Sequence, residues 1–386
     1  MFVDFSQVIG LSHLKNHLTT TVAAGRVPHA QIFSGLSGSG LLPLALAYAK
    51  NILCSELNPK DEAYRRCARQ ADALTHPDLH FVFPVNTTAD VKKTPRSNDF
   101  LPSWRNFIAQ TPYGSLPSWY QQLGVDKKQG SISVAEAQAM TKTLYLKSYE
   151  GGFKVVVIWM ADKMTTECAN KMLKLLEEPP AKTVFLLLTE HEDQLLRTIY
   201  SRCQKLTLPL LSEHDLSQAL IQHHSCTPSE ALRLSKVAHG DYFKAQQLLT
   251  HKEEDIQFEG WFLTWARGAF KAKGNKSAIQ DLLDWSDQMS GLGRETQKSF
   301  LLYCSELIRQ AFLTHYKIAP LVYYQAHDAG FSLDRLAPFI HQNNIHAIQE
   351  VIETAHYHIE RNGNPKLIFT DLAVQMTRLL HQKASQ

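Results

Sequence analysis

The sequence predicts an α/β protein with a parallel sheet, followed by a small helical lid and an all-α C-terminal domain. Over 1–208, short β-branched and apolar runs alternate with helical patterns, which is typical of a parallel sheet covered by helices. Residues 209–251 and 252–386 show helical patterns only. A glycine-rich turn at 35–40 joins the first strand to a helix, where a phosphate-binding loop would lie.

Length and composition limit the class of protein further. The 386 residues suggest two or three domains, and 44% hydrophobic residues suffice for packed cores. The net charge of +3 disfavours wrapping nucleic acid along the whole chain. Residues 1–14 lack the pattern of a secretory signal, no apolar run has the length of a membrane span, and the six cysteines show no disulfide framework. We therefore expect a cytoplasmic protein that does not associate with membranes.

Four strands and one long helix are predicted in the first part of the chain. The strands are at 29–34, 78–84, 154–160 and 183–189. The last two are continuous apolar runs, which indicates strands buried on both faces. The helix covers 42–57, with Pro43 in its first turn, where proline is tolerated.

The stretch 85–130 separates the second and third strands. It is polar overall but contains four aromatic residues, Trp104, Phe107, Trp119 and Tyr120. We therefore expect a partly folded, helical insertion. After it, Ser133 and Glu136 have the spacing of a capping box, which predicts a helix to about residue 148.

Three short helices are predicted in the lid. Ser212 begins the first helix, and Thr227 with Pro228 provides the N-cap and first-turn proline of the second. Gly240 ends the second helix, and the third covers 242–249.

The glycine-rich turn departs from a working phosphate loop at two positions. Gly35 and Gly40 have the spacing of G-x-x-x-x-G-K-[ST], with Gly38 between them. In that motif the lysine reaches the phosphates and the hydroxyl holds Mg²⁺. Leu41 and Leu42 occupy those positions here. The substitution favours a turn packed shut over a residual phosphate-holding nest or an active ATP site, and we expect no bound cofactor.

Asp162 follows the strand at 154–160. In P-loop ATPases, the strand beside the loop strand ends in acids that position Mg²⁺ and the attacking water. Here we interpret 154–160 as that strand; only Asp162 remains, Lys163 stands in place of the usual glutamate, and the preceding acid is missing as well. A lone aspartate at a strand end more often caps a helix, so we interpret Asp162 as an N-cap.

Ser201, Arg202 and Cys203 follow the fourth strand. A guanidinium group offers a fixed fork of donors and stabilises charge on a transferring phosphoryl group. The tripeptide alone is a weak signal, and without further context Arg202 is expected to be a surface arginine.

A four-ligand zinc site could be assembled only by forcing together Cys54, Cys67, His76 and His80. Their spacers are long and irregular and contain no Cys-x-x-Cys pair. His80 also lies in a predicted strand. We therefore expect no metal.

The sequence resembles the clamp-loader branch of the AAA+ proteins, and within it the delta-prime subunits of bacterial DNA polymerase III. The resemblance rests first on the Lys-Leu-Leu-Glu-Glu-Pro-Pro run at 174–180 and on the Ser-Arg-Cys-Gln motif at 201–204. Four further matches lie at 7–10, 28–30, 75–80 and 195–199. These motifs lie within 5–250. The last third matches only in being helical and long enough for a collar domain.

The resemblance implies a subunit of an open five-membered ring. Each ATP would lie between one subunit's loop and the Ser-Arg-Cys arginine of the next. Arg202 would then serve a neighbouring ATPase subunit in trans, and this chain would not hydrolyse ATP. The implied partners are gamma/tau-type ATPase subunits and delta through the collar and AAA+ domains, and the sliding clamp and primer–template DNA through the complex.

Three departures from the family pattern bear on this interpretation. Many members carry a four-cysteine zinc site, of which only Cys54 and Cys67 remain. Lys244 stands near the usual place of a lid arginine, and the insertion at 85–130 is longer than expected. Two alternatives stay open: an AAA+ ATPase with an altered loop, and a stand-alone DNA-binding module.

Overall fold

The computed structural model describes residues 4–125, 129–149, 151–250, 252–273, 275–324, 326–328 and 330–382. They form two compact units, Met1–Gln247 and Leu248–Gln386. Residues 126–128 of the predicted insertion lie outside the described residues. Within the described residues, none of the helices combines the length and apolar character that a membrane crossing requires. The predicted division into an α/β domain, a lid and a collar at 208 and 251 stays a prediction.

The first unit is built on a five-stranded parallel sheet. Its strand order is β2-β3-β4-β1-β5. The strands are β1 Ala30–Ser34, β2 Leu79–Val82, β3 Lys154–Ile158, β4 Thr183–Thr189 and β5 Gln204–Thr207. The predicted fold class, a parallel α/β sheet with later helices, is confirmed. β5 was not predicted, because three of its four residues are polar and exposed at a sheet edge.

Helices cover both faces of this sheet. Along β3, Val155 and Val157 pack with one core cluster, and Val156 and Ile158 pack with another, as the period of two requires. The helices of the first unit, up to the lid, are α1 Ser12–Ala23, α2 Leu41–Leu53, α3 Glu62–Asp72, α4 Leu101–Gln110, α5 Leu116–Gln122, α6 Val134–Leu144, α7 Thr166–Glu177 and α8 Arg197–Tyr200. The predicted helix at 42–57 thus ends four residues early, at Leu53.

The insertion is helical, as predicted, and it contributes to the core. Its helices α4 and α5 carry Trp104 and Trp119, both fully buried. The Trp104 ring stacks on Phe83 at the end of the β2 segment, with centroids 4.2 Å apart. The Trp119 indole donates to the Pro84 carbonyl at 2.8 Å. The aromatic residues therefore pack the insertion against the chain that follows the edge strand β2.

The predicted capping box before α6 is wrong. The Ser133 side chain makes no cap hydrogen bond. The Glu136 carboxylate instead accepts a hydrogen bond from the Ser97 backbone N–H, which lies in the insertion. Burial raises the pKa of Glu136 above its ordinary value. The helix itself forms but ends at Leu144, short of the expected 148.

The lid stretch contains the three expected helices, α9 Glu213–His224, α10 Pro228–Ala238 and α11 Tyr242–Thr250. Ser212 caps α9, and Thr227 caps α10 with Pro228 at its first position. The remaining helices are α12 Lys252–Lys271, α13 Lys276–Ser290, α14 Arg294–His315, α15 Leu333–Leu336, α16 Ile345–Glu360 and α17 Pro365–Leu380. They enclose a separate apolar core, as an all-α domain should.

Cys54 and Cys67 correct a further expectation. Their sulfur atoms are bonded, and their Cα atoms lie 6.1 Å apart, within the usual range for a disulfide. The bond joins the end of α2 to α3. The expectation that the six cysteines form no disulfide is therefore wrong for this pair. In the described residues, no group of three or more His, Cys, Asp or Glu side chains is placed to hold a metal ion.

Candidate functional site

The glycine-rich turn has the strand–turn–helix geometry of a phosphate loop. It leaves β1 at Gly35, whose N–H donates to the Thr189 carbonyl of β4 at 3.1 Å. A short 3-10 turn follows, and Gly40 has a φ of 99°, which favours glycine. α2 then begins at Leu41. The chain therefore retains the backbone fold of the motif.

Leu41 and Leu42 occupy the positions of the lysine and the hydroxyl residue of a working loop. Both side chains are buried in the core. Neither can neutralise phosphate charge or coordinate Mg²⁺. Their burial also contributes on the order of 2 kcal/mol each to the hydrophobic core, so these positions serve the packing of α2.

Carboxylates of the chain itself lie against this loop. The Ser37 backbone N–H, one of the amides that would face a phosphate, donates to Glu190 Oε1 at 2.8 Å. The Ser34 hydroxyl at the end of β1 donates to Glu192. Both glutamates follow β4 at the carboxyl edge of the sheet. A nest of backbone N–H groups attracts anions, and here the anion is supplied internally.

The lid adds a third carboxylate through Asp241. A Cβ built on Gly38 would lie 1.8 Å from Asp241 Oδ1, so this carboxylate rests directly on the glycine. Asp241 also accepts the Lys244 backbone N–H at 2.9 Å, near the start of α11. Burial raises the pKa of Asp241, and the nearby Glu190 charge raises it further. A triphosphate at this loop would meet negative charge in place of a lysine.

Tyr113 of the insertion closes the loop from another side. Its ring lies 3.3 Å from a Cβ built on Gly40 and is fully buried. It meets the ring of Tyr242, in the lid, edge to face with centroids 4.9 Å apart. Its hydroxyl accepts the Ile9 backbone N–H at 2.9 Å. One side chain therefore joins the insertion, the N-terminal segment, the loop and the lid.

Asp162 is neither beside the loop strand nor a helix cap. β4 lies between β1 and β3, so the strand that precedes Asp162 is not the neighbour of the loop strand. Asp162 Oδ1 accepts the Thr189 hydroxyl at 2.8 Å, and Oδ2 pairs with Lys163. Thr165 provides the N-cap of α7. Asp162 therefore links the ends of β3 and β4.

Arg202 lies in the turn between α8 and β5, with about a third of its side chain exposed. Its Nε donates to Glu177 Oε1, at the end of α7, at 2.6 Å. Its Nη1 donates to the Thr198 carbonyl at 2.8 Å. Ser201 lies beside it and also bonds to Thr198. Burial raises the pKa of the Cys203 thiol to about 11, which disfavours its thiolate form at neutral pH.

The loop and Arg202 lie at opposite ends of the parallel strands, which we call the carboxyl edge and the amino edge of the sheet. Gly35 follows the carboxyl end of β1, whereas Arg202 precedes the amino end of the neighbouring β5. Four paired residues, Gln31–Ser34 with Gln204–Thr207, separate these ends. That length of strand is about 13 Å. Arg202 and the chain's own loop therefore face different surroundings.

Sequence reasoning missed Glu190, Asp241 and Tyr113. A signal existed for Glu190, because it directly follows a buried strand and so lies at the carboxyl edge. Asp241 follows a helix-ending glycine and precedes a helix, which indicates a cap but not a contact with the loop. Tyr113 gave no signal, because its position depends on how the insertion folds.

A family model described as "DNA polymerase III, delta subunit" matches residues 10–212. The chain is 31% identical to the DNA polymerase III subunit delta' of Bacillus subtilis over 206 residues, 53% of this chain and 49% of that protein. It is 28% identical to the delta' subunit of Escherichia coli over 188 residues, 48% of this chain and 44% of that protein. The alignments thus span about half the length of these relatives.

Similarity extends to other proteins of the same polymerase. The DNA polymerase III subunit tau of Bacillus subtilis is 22% identical over 409 aligned positions, which cover 99% of this chain and 62% of that protein. Among solved structures, a DNA polymerase III gamma subunit-related protein of Thermotoga maritima is 15% identical. It has a TM-score of 0.35, over 95% of this chain and 99% of that one.

Proposed function

Because the chain belongs to the DNA polymerase III, delta subunit family of clamp-loader proteins, we propose that it is a delta-prime-like subunit. In this proposal it does not hydrolyse ATP. It supplies Arg202 in trans to the ATP site of a neighbouring ATPase subunit and so helps to load the sliding clamp on DNA.

The proposed partners follow from the same assignment. They are gamma/tau-type ATPase subunits and a delta subunit, bound through the collar and AAA+ domains in a cytoplasmic complex. The sliding clamp and primer–template DNA are reached through that complex. The names of the matched relatives, delta', gamma and tau subunits of DNA polymerase III, support this choice of partners.

The observation that carries the proposal is the internal occupation of the loop. Glu190 and Asp241 lie where a phosphate would bind, and Leu41 replaces the lysine. ATP could bind in the ordinary way only by displacing two carboxylates and entering a site without a compensating cation. Displacing Glu190 alone breaks its hydrogen bond with the Ser37 N–H, and a hydrogen bond to a charged group is worth about 1.5–3 kcal/mol, which weighs against the altered-loop ATPase.

The position of Arg202 supports the second half of the proposal. It lies at the edge of the sheet opposite to the loop, so it does not serve the chain's own loop. Its side chain is about a third exposed, and its guanidinium bonds to the Glu177 carboxylate and the Thr198 carbonyl, so the exposed part can be presented to another subunit. A trans arginine stabilises the charge that develops on the transferred phosphoryl group.

The test is a clamp loader reconstituted from this chain, its ATPase and delta subunits, the clamp and primed DNA. Arg202→Ala should lower turnover at the one ATP site it serves by about 10³-fold, the lower range for arginine fingers. Total ATPase should fall by that site's share, and clamp loading should fall with it. Arg197→Ala, at an exposed arginine in α8 just before the turn that carries Arg202, is the matched control and should retain both activities.

Assembly into the complex and the melting temperature are measured alongside these activities. Arg202→Ala should assemble into the complex and melt at the temperature of the parent chain, because it removes one exposed ion pair. Unchanged clamp loading by a fully assembled Arg202→Ala complex would refute the trans role.

A further inference from the structure

A pocket in the second unit combines apolar walls with a basic rim. It lies between the end of α12, the segment at 330–339 and the end of α17, and has a volume of about 240 Å³. Its main walls are six apolar side chains, Leu263, Ala266, Phe270, Phe331, Phe339 and Leu380. We name it the basic-rimmed pocket.

Phe270 forms a fixed wall of this pocket. Its ring packs edge to face on Phe339, with centroids 4.8 Å apart, and stacks on His381 at 5.2 Å. Nevertheless, 45% of the residue stays exposed. A large aromatic surface that is already held in place loses little conformational entropy when a partner covers it. This is the usual character of an anchor site at a protein interface.

Three cations line the rim. Arg267 and Lys271 lie four residues apart on α12 and so share one face of the helix. Within the described part of the chain, no carboxylate pairs with either of them. Arg335 lies on the facing segment and donates to the Gly330 carbonyl at 3.1 Å. The nearest acid in sequence, Asp334, accepts from the Ser332 hydroxyl. Among the described residues, no carboxylate lies within ion-pair distance of Arg267, Lys271 or Arg335.

We propose that the basic-rimmed pocket binds an acidic linear peptide of a partner protein. An aromatic or aliphatic side chain of the peptide fills the pocket, and neighbouring carboxylates meet Arg267, Lys271 and Arg335. The pocket is smaller than the roughly 300–1,000 Å³ of small-molecule sites, so it suits one or two side chains. The inference rests on this pocket alone and is independent of the function proposed above.

Nucleic acid is the weaker occupant on the same observations. A nucleic-acid surface needs a basic stripe that follows many phosphates, and here three cations surround one apolar cavity. Charge complementarity with a hydrophobic anchor instead matches the recognition of short acidic motifs, in which the pocket gives affinity and the rim gives orientation.

The probe is a fluorescein-labelled peptide with the sequence Gly-Ser-Asp-Glu-Asp-Phe-Leu-Asp-Gly, titrated with the full chain and followed by fluorescence anisotropy. We expect saturable binding that weakens as ionic strength rises from about 0.05 M to about 0.5 M, because exposed charges are screened. A peptide with Asn and Gln in place of the acids, and one with Ser in place of Phe and Leu, should each bind much more weakly.

Charge reversal on the rim locates the site. Lys271→Glu should weaken binding about tenfold, whereas Lys276→Glu, the same change at an exposed lysine on α13, should not. Phe270→Ala should also weaken binding. If it fails to fold, Lys271→Glu still decides, because its side chain is exposed.

Several outcomes would overturn the proposal. One is peptide binding that Lys271→Glu and Lys276→Glu affect equally. Another is no saturable peptide binding by the folded chain at low salt. A labelled dT oligonucleotide that binds in a Lys271-dependent manner while the peptide does not would identify nucleic acid as the occupant. Self-association abolished by Lys271→Glu would identify a second copy of the chain.

Discussion

The carboxyl and amino edges of the sheet in the first unit differ in which functional groups they expose to solvent. At the carboxyl edge, the loop at 35–40 is covered by Glu190, Asp241 and Tyr113. At the amino edge, Arg202 is exposed and paired with the single carboxylate of Glu177. A site with its lysine and metal ligand replaced can lose catalysis and still remain an open cleft. Here side chains of the chain itself cover the loop, whereas about a third of the Arg202 side chain stays exposed.

Closure of the loop depends on parts of the chain that are distant in sequence. Glu190 comes from the sheet, Asp241 from the lid and Tyr113 from the insertion. Each makes a contact with the loop or with a residue beside it. We infer that the insertion stabilises the closed loop, a role that its sequence did not indicate.

The largest expected effect is at the closed edge, for Tyr113→Ala. This change leaves a cavity between the insertion, the loop and the lid, and it removes the acceptor of the Ile9 N–H. We expect the free energy of unfolding to fall by about 3–5 kcal/mol, as for other buried aromatic residues. Chemical denaturation of the full chain measures it. Tyr316→Ala, at a 42% exposed tyrosine, is the control and should cost much less.

Gly38→Ala should have the next largest effect. The added methyl group would overlap the Asp241 carboxylate, so the lid carboxylate must move. We expect a loss of about 1–3 kcal/mol, as for overpacked sites. Gly152→Ala is the matched control, since its nearest neighbours to a new Cβ lie at 3.9 Å. Equal thermal stability of the two variants would show that Asp241 does not rest on the loop.

Glu177→Ala should have the smallest effect and concerns the open edge. The pair with Arg202 is about half exposed, so its loss should lower the free energy of unfolding by less than about 1 kcal/mol. In the reconstituted complex, the ATPase activity should remain near that of the parent, because Arg202 is still present. An ATPase loss as large as that of Arg202→Ala would instead assign the ion pair, and not the arginine, the functional role.

Much of the first unit could be predicted from sequence, because buried strands carry a strong local signal. The strand at 183–189 was predicted with the bounds of β4, and the strand–turn–helix of the loop was recognised. β5 was missed, since a polar edge strand has no apolar periodicity. Asp162 was misplaced because the strand order, and hence which strand adjoins β1, is not a local property.

The candidate site was predictable only in part, for the same reason. Leu41, Leu42 and Arg202 were identified because motif spacing is local. The contacts of Glu190, Asp241 and Tyr113 with the loop join segments that are far apart in the chain. Motif spacing likewise did not indicate the hydrogen bond between Glu136 and Ser97 or the disulfide between Cys54 and Cys67. Long-range pairing decided these outcomes over local patterns.

Equilibrium binding of a fluorescent ATP analogue with Mg²⁺ to the isolated chain would show whether the chain's own groups occupy its phosphate loop. We expect no saturable binding and no phosphate release, with an active gamma/tau-type ATPase subunit as the positive control. Tight, Mg²⁺-dependent binding with turnover would contradict this expectation and would establish an ATPase with an altered loop.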